Sequence, residues 1–214
     1  MLWLNINSEN PDQDDLKKIA DLLSRGGVAC IPTETFYALA AYPFLQEAVD
    51  RIFSMKGREH EKPLILLLHD RNQVFELVSE IPASFHPLAT SFWPGALTML
   101  LKSSEGIPRW IDAGTGKVGL RVTSNRIAVE LIKKCGFPLT GTSANKSGKR
   151  PALTSAQVLN YFGKEIDCIV NGGNLSGGRP STLIDITVEP PVLLREGRIS
   201  REEIESVLNR RIAG

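Results

Sequence analysis

Cysteine is scarce in this chain. Its 214 residues hold 3 of them, at Cys30, Cys135 and Cys168. The count is odd and no two form a C-x-x-C pair, so a disulfide framework and a zinc site are both excluded. Cys30 and Cys168 sit in apolar runs and read as small core residues. His60, His69 and His86 lack metal-ligand spacing, so no resident metal is expected. No apolar run approaches the roughly 18 residues of a membrane span. The opening MLWLNINSENPDQDD has no basic segment before its brief apolar stretch and is no secretory leader. Cytoplasmic residence is the default expectation, and a membrane partner is not expected. Charge of one sign is also lacking: the formal net charge is +1, which gives no bulk attraction to nucleic acid but leaves a local basic patch open. Neither G-x-x-x-x-G-K-[ST] nor G-x-G-x-x-G occurs, so no nucleotide is held by a P-loop or a dinucleotide fingerprint. No Ser–His–Asp or Cys–His arrangement and no glycosidase-like carboxylate pair can be argued.

What is present is ordinary globular composition, 42% hydrophobic and 23% charged. Length alone allows one large domain or two small ones. Leu16, Ile19, Ala20 and Leu23 form one apolar stripe and predict a helix over 11–27, with Asp12, Asp14 and Asp15 at its start and Gly26-Gly27 as the stop. Similar periodicity predicts helices at 46–55, 125–135 and 201–212. Apolar runs predict strands at 28–31, 64–68, 97–101, 118–122, 168–170, 183–186 and 192–194. Helices and strands alternate along the whole chain, with no repeat, linker or low-complexity segment. The expectation is one α/β domain over 1–214, on a twisted mixed sheet with flanking helices. Stretches 102–117, 145–155 and 171–181, rich in Gly, Ser, Lys and Arg, read as a ligand rim.

Five segments carry side chains suited to an anionic ligand, and each has a plainer explanation. Pro32-Thr33-Glu34-Thr35-Phe36-Tyr37 follows a strand and looks like the opening of a helix. Its hydroxyls and carboxylate suit either a ligand at a strand end or an N-cap. Lys56, Arg58 and Lys62 flank a loop and suit a polyphosphate, or a solvated loop neutralised by Glu59 and Glu61. Arg121 lies inside the apolar run Val118–Val122 and must meet a carboxylate, from the protein or from a ligand. Gly141–Gly148, with Ser143 and Asn145, suits phosphate binding or simple turn chemistry. Ser181 precedes a strand and Arg195 ends one, where ordinary loops explain them equally.

Together, and in order, these segments resemble the YrdC-like family. Its patterns stand here as Pro32–Leu39, Lys56–Leu64, Trp93–Thr98, Val118–Arg121, Ser143–Gly148, Ser181–Asp185 and Leu193–Gly197. The match covers about residues 10 to 205, as single-domain members do; a longer form carries a second C-terminal domain. The resemblance implies a twisted α/β sheet around a large, basic concave cavity. It implies a nucleotidyltransferase: threonine and bicarbonate form a carbamate that attacks the α-phosphate of ATP, giving threonylcarbamoyl-AMP and pyrophosphate. Partner machinery then transfers the group to tRNA. By the same resemblance Lys56 and Arg58 are catalytic. They would hold ATP with Lys62, Ser143, Asn145 and Arg195, while Thr35, Arg121 and Ser181 bind L-threonine. Mg²⁺ would arrive on the ATP phosphates. Ala38, Glu59, Leu67 and Pro180 depart from the usual residues. A different reading is a non-catalytic module of this fold that grips tRNA or double-stranded RNA. Another is adenylation of a carbamoyl group from carbamoyl phosphate, whose known chains carry zinc-finger-like cysteines that are lacking here.

Overall fold

The computed structural model describes residues 1–57 and 63–214. In chain order its strands are β1 (Leu2–Asn5), β2 (Ala29–Ile31), β3 (Ala38–Ala40), β4 (Ile65–Leu68), β5 (Leu97–Lys102), β6 (Lys117–Val122), β7 (Leu139–Thr140), β8 (Thr142–Ser143), β9 (Cys168–Asn171), β10 (Thr182–Asp185) and β11 (Val192–Arg195). The helices are α1 (Gln13–Ser24), α2 (Gln46–Lys56), α3 (Val74–Leu77), α4 (Phe85–Phe92), α5 (Arg109–Asp112), α6 (Arg126–Cys135), α7 (Ser155–Phe162) and α8 (Arg201–Leu208).

The expected single sheet is two mixed sheets. The first has the order β1-β9-β2-β3-β8 and the second β11-β10-β5-β6-β4-β7. In the first sheet β1, β9 and β2 run parallel, and β3 and β8 are antiparallel additions. Both faces of this sheet are covered. The stripe Leu16, Ile19, Leu23 of α1 and its counterpart Ile127, Leu131, Ile132 of α6 pack on one face with Ala29, Ile31 and Val170. Ala48 and Ile52 of α2 and Val158 and Phe162 of α7 pack on the other with Cys30, Leu39 and Ile169. Double coverage explains why β2 is apolar at every position and shows no alternation.

The second sheet alternates. Leu66 and Leu68 of β4, Met99 and Leu101 of β5, and Val118, Leu120 and Val122 of β6 enter one core with α4 and α8. The intervening residues Ile65, Leu100, Gly119 and Arg121 face the other way, into the space between the sheets. Period-two geometry therefore delivers Arg121 to that space because Leu120 and Val122 are claimed by the core.

Local signals set the ends. Asp12 caps α1 through the amides of Asp14 and Asp15, and Gly26, at φ 85°, ends it. The helix expected over 201–212 begins with a Ser200–Glu203 capping box. It stops at Leu208, where Asn209 turns left-handed, and Ala213 then bridges Val192 at the sheet edge. All three cysteines are reduced, and Cys30 and Cys168 are buried on opposite faces of the first sheet, as core residues. Among the described residues no helix is long and apolar enough to cross a membrane.

Candidate active site between the two sheets

A cavity of about 550 Å³ opens between the sheets. The hairpin of β2 and β3, with β8, forms one wall, and strands β4, β5, β6, β10 and β11 form the other. Thr35, Arg121, Ser143, Ser181 and Arg195 all line it, so the structure brings these five expected residues together from positions up to 160 apart in sequence. Arg121 and Arg195 are the charged groups among the described lining, set among hydroxyls and apolar surface. Arg58 and Lys62, which the resemblance also counts toward a basic cavity, lie outside the described residues.

The segment 32–37 is not a helix start. It is the loop joining antiparallel β2 and β3. The Thr33 hydroxyl accepts from the amides of Thr35 (3.2 Å) and Phe36 (3.3 Å) and donates to the Phe36 carbonyl (2.7 Å). Those local bonds close a turn and compete with helix formation. They also seat the Thr35 hydroxyl 3.1 Å from that of Thr33, at the cavity wall. Tyr37 locks the loop to the end of β9 by donating to the Gly173 carbonyl at 2.7 Å and accepting from the Gly172 amide at 3.2 Å. Burial pushes its phenol up to about 12.

Arg121 has a carboxylate within the protein as well as a face on the cavity. Its Nε lies 3.3 Å from Glu34 Oε1, and both side chains are nearly closed to solvent, 5% and 11% exposed. The N–H is not aimed at that oxygen, so neither atom has a hydrogen bond and the contact is ionic. Thr123 fixes the carboxylate by donating to Oε2 at 2.6 Å. Burial pushes the Arg121 pKa down and Glu34 opposes it. Burial and the like charge of Arg121 together push that of Arg195 down. Arginine keeps its proton under either pressure, so among the described residues two guanidiniums share one cavity with the Glu34 carboxylate behind Arg121.

The remaining residues divide. Arg195 donates twice to the Ser181 carbonyl (3.1 and 2.9 Å) and once to its hydroxyl (3.2 Å), and that hydroxyl also pairs with Thr98 at 3.0 Å. Ser143 donates to Asn145 Oδ1 at 2.6 Å, and the Asn145 amide ties down the carbonyls of Lys146 and Lys149. Lys56 is buried at the end of α2, and its ammonium donates to the carbonyls of Ser143 and Asn145, the latter at 3.0 Å. It therefore anchors the 143–147 loop from behind. Asn145 likewise works inside that loop, and neither residue is among the cavity lining. Arg58 and Lys62 lie outside the described residues. Leu67, at a departing position, is buried against Gly141 and belongs to the core beneath α6.

The sequence leaves Glu34 open between a ligand at a strand end and an N-cap, and assigns Thr98 and Thr123 no role. The signal available was general: any arginine in an apolar run demands a countercharge, which did not say that Glu34 supplies it.

A sequence profile of the Sua5/YciO/YrdC family, described as telomere recombination, matches residues 21–197. The threonylcarbamoyl-AMP synthase of Pyrococcus abyssi is 41% identical over 202 residues, 94% of this chain and 59% of that protein. The threonylcarbamoyl-AMP synthase of Halorhodospira halophila is 35% identical over 176 residues, 82% of this chain and 86% of that protein. The crystal structure of P. abyssi Sua5 complexed with L-threonine matches with a TM-score of 0.95 at 37% identity, across 100% of this chain and 63% of that one. An α/β protein with two mixed sheets enclosing an arginine- and hydroxyl-lined cavity is the class the fold and site define. The chain belongs to the Sua5/YciO/YrdC family. It spans about three fifths of the length of its P. abyssi relative.

Proposed function

We propose that the protein makes threonylcarbamoyl-AMP from L-threonine, bicarbonate and ATP, releasing pyrophosphate, and so supplies threonylcarbamoyladenosine formation in tRNA. The observation that carries this reading is the pair of guanidiniums, Arg121 and Arg195, facing one cavity together with the hydroxyls of Thr35, Ser143 and Ser181. Two like charges in one cavity call for an anionic occupant. Hydroxyls that donate or accept suit an amino acid bearing its own hydroxyl and carboxylate. The names of the relatives, and the L-threonine held by P. abyssi Sua5, support the same reading.

In the proposed reaction the threonine nitrogen joins the carbon of bicarbonate with loss of water. A carbamate oxygen then bonds to the α-phosphorus of ATP as the bond from that phosphorus to the β-phosphate bridging oxygen breaks. Arg121 pairs with the threonine carboxylate, with Thr35 and Ser181 beside it. Arg195 and Ser143 face the phosphates. Lys56 and Asn145 hold the 143–147 loop that carries Ser143, and Arg58 and Lys62 are assigned to the departing pyrophosphate, whose charge cations stabilise. The described lining contributes hydroxyls and guanidiniums and no carboxylate. Mg²⁺ riding on the nucleotide phosphates suits such a lining, and there it would neutralise phosphate charge.

The test is pyrophosphate release from ATP, which should require threonine and bicarbonate together. Release indifferent to threonine would remove the substrate assignment.

A further inference from the structure

We infer that Thr98 is a positioning residue that makes the Ser181 hydroxyl an obligate donor, aimed at a carboxylate in the cavity. The inference rests on the synthase reading only for whose carboxylate this is, that of L-threonine. Thr98 lies on β5, on the same face as the cavity residue Leu100, but is itself wholly buried and off the lining. Its hydroxyl has one hydrogen-bond partner among the described residues, the Ser181 hydroxyl at 3.0 Å.

Either oxygen could donate at that distance, and the protons decide between them. A hydroxyl carries one proton and two acceptor positions. If Ser181 donated to Thr98, the Thr98 proton would be buried with no acceptor, a costly state. Thr98 therefore donates. Arg195 can only donate, and its Nη2 meets the same Ser181 oxygen at 3.2 Å. Both acceptor positions of Ser181 are then filled. Its own proton is left over, no described residue accepts it, and Ser181 lines the cavity. There it can give a proton to a carboxylate oxygen and cannot take one from an ammonium or a hydroxyl. The bonds run one way, from Thr98 to Ser181 to the ligand, and each polarises the next.

The experiment is calorimetric titration of the full chain with L-threonine, with acetate as a bare carboxylate probe, and with ATP. Thr98→Val removes the donor, keeps the shape and leaves Ser181 paired with Arg195, so it strands no buried polar atom. It should weaken threonine and acetate by roughly three- to tenfold and leave ATP within about twofold of native. Thr98→Ser keeps the hydroxyl and should return both carboxylates to within about twofold of native. The opposite proton order predicts the opposite sign, because freeing Ser181 from Thr98 would then tighten carboxylate binding. Ser181→Ala strands the Thr98 hydroxyl and should lower the melting temperature, and adding Thr98→Val should raise it again. Once Ser181 is replaced, Thr98→Val should no longer change either carboxylate's affinity. Those two variants carry the test where Thr98→Val alone fails to fold. The inference is overturned if Thr98→Val tightens carboxylate binding or leaves it unchanged, or if Thr98→Ser fails to rescue it. It is equally overturned if the Thr98→Val effect persists on Ser181→Ala, or if native protein binds neither carboxylate. Threonine binding that ignores Thr98 would leave the synthase reading standing. Acetate binding that depends on Thr98, in a protein that binds no threonine, would contradict the synthase reading and leave Thr98 in its role.

Discussion

Replacing Arg121 by alanine should have two effects that are usually found apart. The side chain faces the cavity and also answers a buried carboxylate. Loss of a charge-assisted pair with the ligand weakens threonine binding by about one to two decades. Loss of the mate of Glu34 leaves that carboxylate buried and uncompensated, which costs about 3–5 kcal/mol of stability. Threonine titration and thermal melting on the same variant check both. A variant with weakened binding and an unchanged melting temperature would remove Glu34 as the structural partner. The need for a countercharge at Arg121 was readable from its apolar run. The identity of that partner was not, because Glu34 lies 87 residues upstream and reaches Arg121 only after β6 is laid beside the hairpin of the other sheet. Lys56 shows the opposite case. Its spacing to Arg58 and Lys62 suggested phosphate, yet the closure of the 143–147 loop on the end of α2 gives its ammonium carbonyl acceptors that no local pattern announces.

At the scale of elements, the loop 32–37 is the decisive piece. It was expected to open a helix because Thr, Glu and Thr after a strand fit a cap. The Thr33 hydroxyl instead spends its bonds within three residues of itself, and Ala38–Ala40 continue as β3. Thr33 is buried, so Thr33→Val deletes these bonds with little change of volume. It should cost about 1–3 kcal/mol in urea unfolding and loosen Thr35 in the cavity wall. Unchanged urea stability would show that Tyr37 alone holds the loop. Long elements with clean periods, α1, α6 and β6, were legible because their patterns are set by one core face. Strands β3, β7 and β8 were not, since two or three residues carry no period. Helix α4 carries the stripe Phe85, Leu88, Ala89 and Phe92, but Pro87, which a first helical turn tolerates, hid it as a breaker.

Across the whole molecule, acid stability should depend on the tie between β10 and β6 that spans β5. Asp185 accepts from Lys117 at 2.7 Å and from the Thr187 hydroxyl and amide at 2.6 and 2.9 Å. Burial works to raise the Asp185 pKa, but Lys117 and Thr187 outweigh it and hold the carboxyl below its ordinary value. A depressed folded pKa means stability present above the unfolded value of about 3.9 and lost as pH falls through the folded one. Asp185→Asn should therefore be less stable at pH 7 and should change less than the native protein below about pH 4. Urea unfolding at pH 7, 5 and 3 reads this directly. An equal acid loss in both proteins would place the sensitivity elsewhere, with Asp167 beside Arg51 and the Val28 amide as the next carboxyl held low.

The two walls of the cavity belong to different sheets, one packed between α1/α6 and α2/α7 and the other largely against α4 and α8, with Leu67 and Leu139 of the second sheet joining the α1/α6 core. A molecule that touches Thr35 and Ser143 on one side and Arg121, Ser181 and Arg195 on the other is a rivet through both. It should make the halves melt as one cooperative unit and raise the free energy of local opening. The β3–β8 pairing, a ladder of two residue pairs at the cavity edge, should register it first. Amide exchange at Ala38 and Ser143 should slow on saturation with threonine and ATP, while exchange deep in α1 stays as it was.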